Sequence, residues 1–166
     1  MNYLITAAGK GSRLISRGIK PPKPLVIVNG IELLIWSLSS FNFLSGDKLY
    51  IVTQKNDRVK ECLLNKIKNI FPQVFIDWLE LEEVKNGQLI TAIKAISYFS
   101  IKGKILIHNC DTSYKLEKTK FENLINKNVF GAIVYFNAEG NNWSFIRMEN
   151  NKIIEVKEKK RISNNC

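Results

Sequence analysis

The sequence contains few of the residues that build disulfide, zinc or nucleophilic sites. It has three cysteines and a single histidine in 166 residues. Cys62, Cys110 and Cys166 stand alone at irregular spacing, with no C-x-x-C pair, which argues against a disulfide framework and a structural zinc site. His108 is best interpreted as a strand-end residue, so a catalytic thiol at Cys110 is disfavoured.

Long apolar runs are also missing. The N-terminal segment 1–5 is a short apolar strand that reaches a glycine at Gly9. It has no basic region and no extended apolar core before a cleavage site, so it is not a signal peptide. No stretch is long enough to span a bilayer. We therefore expect a cytoplasmic protein with no membrane partner.

Acidic residues are scarce relative to basic ones. The chain has 25 Lys and Arg against 15 Asp and Glu, and its formal net charge is +10. Such a charge suits either nucleic acid or small anions such as nucleotides. The lysines are spread along the chain, without an arginine-rich run or an aromatic RNA-binding motif. A nucleic-acid partner is therefore disfavoured. Hydrophobic residues make up 45% of the chain, which is enough to form a buried core.

Strand and helix patterns alternate over the first part of the chain. Strands are expected at 3–7, 25–28, 49–53, 74–81 and 104–108, and helices at 31–43, 57–70 and 88–99. This alternation indicates βαβ units and an α/β fold with a parallel sheet. After residue 130 three strands are expected in succession, at 130–136, 144–148 and 152–156. Asn150-Asn151 suits the hairpin turn between the last two.

The most informative segment is the glycine loop after the first strand. Gly9 and Gly11 let the backbone approach a phosphate closely, and successive N–H groups there can form an anion-binding nest. Lys10 and Arg13 add positive charge. The loop is not the Rossmann fingerprint, because Leu14 stands where the third glycine belongs, and its Gly-Lys-Ser spacing does not fit a Walker A loop. An ordinary strand-to-helix turn is the alternative.

A proline-rich segment follows at residues 20–25. Its sequence is Lys20-Pro21-Pro22-Lys23-Pro24-Leu25. Because proline fixes the backbone, we expect Lys20 and Lys23 to be held near the glycine loop.

These two segments together resemble the sugar-phosphate nucleotidylyltransferases. The pattern A-A-G-x-G-x-R-L falls on residues 7–14, and K-P-L falls on residues 23–25. The resemblance implies a Rossmann-like, three-layer mixed sheet of the nucleotide-diphospho-sugar transferase type. It also implies that the loop wraps the triphosphate of an NTP, that Arg13 contacts the β- and γ-phosphates, and that Lys23 stabilises the reacting phosphates. Arg13 and Lys23 are thus the expected catalytic residues.

A second glycine opens the helix at 88–99. The segment Asn86-Gly87-Gln88 precedes it, and a helix N-terminus offers free N–H groups. A simple capped helix is the alternative. The form G-Q-x-x-T-A resembles a capsule-related clade of the family, in which this segment packs against the base and ribose. The nucleotide-binding residues that the resemblance implies are Ala7, Ala8, Gly9, Lys10, Gly11, Ser12, Arg13, Lys23, Gly87 and Gln88.

An aspartate follows the strand at 104–108. Ligands of open α/β sheets bind beyond the carboxyl ends of strands, and Mg²⁺ prefers carboxylate, phosphate and water oxygens. In the family a G-D or D-x-D motif lies here, so the resemblance assigns Mg²⁺ as cofactor and Asp111 as its ligand. Cys110 replaces the usual glycine, and Asn109 replaces the first acid.

The last part of the chain also resembles that clade. Glu158 and Lys159 match an E-K pair that contacts the acceptor and its phosphate, although a solvated charge run is the alternative. We therefore expect one domain over 1–166, with a nucleotide-binding part at 1–130 and the start of an acceptor-binding part at 131–166. The family's next strand and second metal-binding aspartate are not reached by Cys166. We expect a truncated domain that binds nucleotide, turns over poorly and can self-associate through an exposed edge.

The resemblance implies Mg²⁺-dependent transfer of an NMP from an NTP to a phosphorylated acceptor, with release of pyrophosphate. CTP is the favoured nucleotide, since the clade serves capsule and surface-polysaccharide pathways and includes a cytidylyltransferase of phosphoglutamine. Two alternatives within this chemistry are a binding-only remnant and a sugar-1-phosphate uridylyl- or thymidylyltransferase. A glycosyltransferase is disfavoured because it would have D-x-D and no K-P-L loop. A nucleic-acid-binding module rests on charge alone.

Overall fold

A computed structural model of the chain describes residues 1–83, 87–115, 117, 119, 121, 123–124 and 130–166. The chain divides into two compact units, Met1–Ile125 and Asn126–Cys166. The strands are β1 (Asn2–Thr6), β2 (Ile27–Val28), β3 (Ile31–Glu32), β4 (Lys48–Gln54), β5 (Phe75–Leu81), β6 (Ile105–Asn109), β7 (Ser144–Glu149) and β8 (Lys152–Glu158). The helices are α1 (Ser12–Ile15), α2 (Leu33–Leu38), α3 (Val59–Ile70) and α4 (Gln88–Tyr98).

The first unit is built on a four-stranded parallel sheet. Its strand order is β5-β4-β1-β6, and every neighbouring pair in it is parallel. The predicted α/β fold with a parallel central sheet is confirmed. Antiparallel pairing is found in two separate two-stranded hairpins, β2-β3 and β7-β8.

Helices cover both faces of this sheet. Because side chains alternate along a strand, Tyr3 and Ile5 face one side of β1 and Leu4 faces the other. Tyr3 and Ile5 belong to an apolar cluster with residues of α2 and α3, such as Leu34 and Leu63. Leu4 belongs to a second cluster, with two alanines of α4 and part of β4 and β5. The result is a three-layer arrangement with β1 at its centre.

The strand order reverses at β1. From β1 the sheet extends to β4 and β5 on one side and to β6 on the other. Thr6, the last residue of β1, lies in register with Val52 of β4 and with Asn109 of β6. In open parallel sheets the crevice at the carboxyl ends of the strands at such a reversal is the usual ligand site. The fold therefore points to the ends of β1 and β6.

The helix predicted at 31–43 is wrong in its first residues and in its length. Ile31 and Glu32 form β3, which pairs with β2, and α2 ends at Leu38. The turn explains the difference: Asn29 and Gly30 both have positive φ, 51° and 79°. Two such residues make the tight turn that folds a chain back as a hairpin.

The strand predicted at 130–136 is also wrong. Residues 131–136 lie outside any strand, and one backbone pair joins Phe136 to Cys166, with N–O distances of 2.8 and 2.7 Å. An apolar run becomes a strand only where a neighbour satisfies its backbone along its length. Among the described residues, this run shows such backbone pairing at Phe136 alone, so its apolar composition misled the prediction.

In the second unit, β7 and β8 form an antiparallel hairpin. Asn150 and Asn151 make its turn with φ of 48° and 60°, so the predicted hairpin is confirmed. Phe145 and Ile146 are its buried side chains. Within the described residues, no helix has the length and apolar character needed to cross a membrane.

Candidate functional site

A cleft of about 450 Å³ lies at the carboxyl ends of β1 and β6. Its wall contains eight of the predicted site residues: Ala7, Ala8, Gly9, Lys10, Lys23, Gly87, Gln88 and Asp111. It also contains Thr6, Thr91, Asn109 and Cys110. The cleft thus joins the end of β1, the glycine loop, the K-P-L turn, the start of α4 and the end of β6.

The glycine loop is tied to the sheet before it turns. The Ala7 N–H donates to the Val52 carbonyl at 2.8 Å, and the Gln54 side-chain amide donates to the Ala8 carbonyl at 3.0 Å. Both contacts come from β4, so the first half of the loop is held by the neighbouring strand. Gly9 and Lys10 follow these anchored residues and line the cleft.

The K-P-L turn passes directly beside the glycine loop. Gly11 has φ of +65°, and a Cβ placed on it would lie 3.6 Å from Lys23 Cβ. Pro24 is buried beneath this turn. The structure therefore places Lys23 next to the loop, as the prolines predict, whereas Lys20 is exposed and lies outside the cleft wall.

Five predicted residues are not among those that line the cleft. Gly11 caps α1, and Ser12 and Arg13 are exposed in that helix. Glu158 and Lys159 are exposed at the end of β8 in the second unit, where their charged groups lie 3.3 Å apart. The phosphate role of Arg13 and the acceptor roles of Glu158 and Lys159 stay predictions.

Gly87 sets the start of α4. It has φ of 100° and ψ of 163°, a combination that essentially only glycine adopts. The Thr91 hydroxyl donates to its carbonyl at 3.2 Å, which fixes the first turn of the helix. Asn86, which begins this segment in the sequence, lies outside the described residues.

A chain of hydrogen bonds crosses the base of the cleft. Gln88 Nε2 donates to Thr6 Oγ1 at 2.9 Å and to Asn109 Oδ1 at 2.5 Å. Thr6 Oγ1 in turn donates to the His108 carbonyl at 3.3 Å. The Ser37 hydroxyl holds the Asn109 carbonyl at 2.5 Å from the α2 side. One side chain of α4 therefore bridges the ends of β1 and β6.

Lys23 and Asp111 form the charged pair of the cleft. Lys23 Nζ lies 2.5 Å from Asp111 Oδ2, and both side chains are about one-third exposed. Among the described residues there is no group of three Asp, Glu, His or Cys side chains that could hold a metal. A single carboxylate fits Mg²⁺ where substrate phosphates and water complete the coordination, so Asp111 can hold this ion together with a nucleotide.

Cys110 and His108 do not form a nucleophilic pair. Burial raises the pKa of the Cys110 thiol to about 12, so the thiol is protonated at neutral pH. Burial also lowers the pKa of His108, opposed by its hydrogen bond with the Thr112 carbonyl and by Asp111. The His108 ring packs edge-on against Phe41 and Tyr114, with centroids 5.1 Å away in each case. Both residues are buried, and Cys110 also forms part of the cleft wall.

Sequence reasoning did not predict Thr6 and Thr91 as part of the cleft. The signal for Thr6 is its position as the last polar residue of a buried strand before a glycine loop. The signal for Thr91 is its spacing of one helical turn from Gly87. Both signals are weak in a sequence, because threonine is common in strands and near helix starts for structural reasons alone.

The chain is similar to several known proteins. No protein-family model matches it. It is 27% identical over 161 residues to the "Bifunctional protein GlmU" of Methanococcus aeolicus. The aligned residues make up 96% of this chain. The chain spans 36% of the length of that relative.

Solved structures share its fold. The nucleoside-diphosphate-sugar pyrophosphorylase of Vibrio cholerae RC9 is similar over 100% of this chain and 70% of its own, with a TM-score of 0.78 and 20% identity. A UDP-glucose pyrophosphorylase complexed with UDP-glucose is similar with a TM-score of 0.75 and 18% sequence identity. This match covers 99% of this chain and 72% of that protein's chain. The inositol-1-phosphate CTP transferase of T. maritima is similar with a TM-score of 0.70 and 16% sequence identity. This match covers 99% of this chain and 66% of that protein's chain.

These similarities agree with the family resemblance of the glycine loop and the K-P-L segment. The fold is that of the nucleotide-diphospho-sugar transferases. The sequence similarity to the GlmU protein, at 27% identity, points in the same direction.

Proposed function

We propose that this chain is the nucleotide-binding part of a Mg²⁺-dependent nucleotidylyltransferase. It transfers the NMP half of an NTP to a phosphorylated acceptor and releases pyrophosphate. The observation that carries the proposal is the cleft at the ends of β1 and β6, where the glycine loop, Lys23 and Asp111 meet. A nucleoside triphosphate with its metal ion is bound by backbone N–H donors, a cationic side chain and a carboxylate, and the glycine loop, Lys23 and Asp111 offer these groups.

The chemistry requires positioning more than proton transfer. An oxygen of the acceptor phosphate attacks the α-phosphorus of the NTP, a new P–O–P bond forms, and the bond from the α-phosphorus to the bridging oxygen breaks. The pyrophosphate leaves with that electron pair. Because the attacking phosphate oxygen is already anionic at neutral pH, no strong general base is needed. The residues act by orienting the two phosphates and neutralising charge.

Each cleft group has a part in this scheme. The glycine loop binds the triphosphate through its N–H groups, with Lys10 and Arg13 adding charge. Lys23 leaves Asp111 and contacts the reacting phosphates, so that Asp111 becomes free for Mg²⁺. Asp111 would hold this ion, which when bound would supply positive charge to neutralise the leaving pyrophosphate. Gly87 and Gln88 contact the base and ribose.

The finer substrate assignment rests on resemblance. CTP is favoured because Gly87-Gln88 resembles the capsule-related clade, and the fold is shared with an inositol-1-phosphate CTP transferase. Phosphoglutamine, in capsule or surface-polysaccharide synthesis in the cytoplasm, is the first acceptor to test. Sugar 1-phosphates come second, since the fold is also that of a UDP-glucose pyrophosphorylase. Glu158 and Lys159 are proposed to contact the acceptor.

A binding-only protein is the second candidate. It is favoured by the lining of the cleft, in which Asp111 is the one acidic side chain among the described residues. Such a protein binds NTP without turnover.

The deciding experiment measures pyrophosphate release. Each of the four ribonucleotides and dTTP is incubated with Mg²⁺ and a panel of acceptors: phosphoglutamine, phosphocholine and several sugar 1-phosphates. Nucleotide binding is measured in parallel by calorimetry. Pyrophosphate release that depends on one acceptor supports the transferase. Tight nucleotide binding without release supports the binding-only role, and absence of both rejects the nucleotide site.

A further inference from the structure

The hydrogen bonds across the base of the cleft have a fixed direction. The sequence of groups is the His108 carbonyl, the Thr6 hydroxyl, the Gln88 amide and the Asn109 amide, which we call the relay. The His108 carbonyl can only accept, so the Thr6 hydroxyl donates its one proton to it. Toward Gln88, Thr6 Oγ1 can then only accept.

This direction sets the orientation of the Gln88 amide. The Gln88 NH₂ group must face Thr6 Oγ1, and it also donates to Asn109 Oδ1. If the amide were turned over, Gln88 Oε1 would face the Thr6 oxygen, and two acceptors would be opposed. With the Thr6 hydroxyl donating to the His108 carbonyl, the hydrogen bonds assign the nitrogen of the Gln88 amide to the side that faces Thr6.

The relay leaves defined groups for a ligand. Both protons of the Gln88 amide are used, so its remaining polar atom, Oε1, can only accept. Asn109 uses Oδ1, so it keeps the donors on Nδ2. Among the described residues neither Gln88 Oε1 nor Asn109 Nδ2 has a hydrogen-bond partner, and both residues line the cleft.

We propose that the relay makes Gln88 an acceptor-only contact that selects a base with an exocyclic amino group, so that cytosine is preferred to uracil. The inference rests on the proposed function, in which Gln88 contacts the base. Cytosine carries an amino donor at the ring position where uracil carries a carbonyl acceptor. Gln88 and Asn109 are exposed in the empty cleft, and a bound base would cover them. A carbonyl facing Gln88 Oε1 would then leave two acceptors unpaired and shielded from water, which carries a penalty. Thr6 acts as a positioning residue, since it touches Gln88 and fixes its orientation.

Two matched substitutions separate the relay from the general shape of the cleft. Thr6→Val and Thr91→Val each remove a hydroxyl from the cleft wall and nearly conserve volume. Only Thr6 touches Gln88, whereas the Thr91 hydroxyl bonds the Gly87 carbonyl. Thr6→Ser keeps the relay hydroxyl and serves as the rescue. Asn109→Leu removes the other acceptor of the Gln88 amide and gives the same readout if Thr6→Val does not fold.

The test is calorimetric binding of CTP and UTP, with Mg²⁺, to the four variants and the unchanged protein. We expect CTP to bind roughly tenfold or more tightly than UTP in the unchanged protein, the scale of an unpaired hydrogen-bonding group. Thr6→Val and Asn109→Leu should reduce this ratio to within about threefold, because the amide can then turn over. Thr91→Val and Thr6→Ser should keep it.

The outcomes distinguish the inference from the function. Equal CTP and UTP affinities in the unchanged protein, or an unaltered ratio in both Thr6→Val and Asn109→Leu, would overturn the relay as the source of selectivity while nucleotide binding stands. Failure of both CTP and UTP to bind would overturn the inference, and the proposed function falls with it only if ATP, GTP and dTTP also fail to bind.

Discussion

Lys23 and Asp111 face each other across the cleft, with 2.5 Å between Nζ and Oδ2. The lysine ammonium therefore lies where a cation bound to this carboxylate would lie. Partly exposed ion pairs are weak, so the pair can open when an anionic phosphate offers Lys23 a new partner. Metal and nucleotide should consequently bind together, each favouring the other.

The substitution Lys23→Met tests this coupling. Without the ammonium, Asp111 is free, and Mn²⁺ should bind the nucleotide-free protein several-fold more tightly. CTP binding should weaken by about 1.5–3 kcal/mol, the usual value of a charged hydrogen bond. Mn²⁺ binding is read by electron paramagnetic resonance and CTP binding by calorimetry. Lys20→Met, in the same loop but outside the cleft, is the control. Unchanged Mn²⁺ affinity in Lys23→Met would rule out competition for Asp111.

His108 gives a pH-dependent signal that needs no assignment, because it is the single histidine of the chain. Burial lowers its pKa, so its ring C2 proton should titrate in NMR with a midpoint below 6.5 in the folded protein. The same protein unfolded in urea should titrate near the ordinary value of about 6.5. A folded midpoint at or above the unfolded one would contradict the burial effect.

The sign for stability follows from that lowered pKa. A group whose folded pKa is depressed contributes stability that is present above its unfolded pKa. This contribution is lost as the pH falls through the folded pKa. The melting temperature should therefore decline below about pH 6.5, through the range in which the NMR signal of His108 titrates.

At the scale of elements, the start of α4 depends on one backbone conformation. Gly87 has φ of +100°, whereas the φ of Gly9 lies outside the left-handed range, and a Cβ at either position would meet nothing within 4 Å. The two glycines thus differ in the backbone strain that alanine would cause, and both have room for an added Cβ. Any effect of alanine at Gly87 on folding must come from conformation.

We expect Gly87→Ala to lower the free energy of unfolding by about 1–3 kcal/mol, the cost of a strained φ/ψ pair. It should also weaken CTP binding, because Gln88 is displaced. Gly9→Ala should leave the free energy of unfolding unchanged or slightly higher, since alanine reduces the entropy of the unfolded chain. Urea unfolding of both variants measures this. Equal losses would show that the φ of Gly87 is not the cause.

The success of prediction from sequence also varied by element. The four strands of the central sheet follow from buried apolar runs bounded by turns, and their predicted ranges differ from the structure by at most one residue at each end. Residues 31–43 failed, because the left-handed Asn29-Gly30 turn puts Ile31 into a hairpin although its apolar spacing suits a helix. The run 130–136 failed because a strand depends on a neighbour that local sequence does not specify.

The site was predictable where one segment carries the chemistry. The glycine loop, Lys23 and Asp111 could be recognised as motifs, and most of these residues line the cleft. The relay could not, because it joins Gln88 to Thr6 across 82 residues and to Asn109 across 21. Such contacts depend on the strand order of the sheet, which places the ends of β1 and β6 side by side, next to the start of α4.

At the scale of the whole molecule, the residues that line the cleft all belong to the unit Met1–Ile125. The proposed acceptor contacts, Glu158 and Lys159, belong to the unit Asn126–Cys166. Each unit is compact by itself, so nucleotide binding and acceptor recognition should be separable by cutting the chain between them. This division gives a direct test of which part of the molecule holds the nucleotide.

A protein of residues 1–125 should bind CTP with a Kd within about twofold of the full chain, because it keeps every described residue that lines the cleft. Its melting temperature should rise on addition of CTP, as for any ligand that binds the folded state alone. Any acceptor-dependent pyrophosphate release by the full chain should be lost, since a poorly positioned acceptor forfeits most of the catalysis. The full-length variant Glu158→Gln/Lys159→Met is the matched control, with CTP affinity kept and acceptor dependence weakened. A folded 1–125 protein that fails to bind CTP would show that residues 126–166 complete the nucleotide site, and the assignment of Glu158 and Lys159 to the acceptor alone would then be wrong.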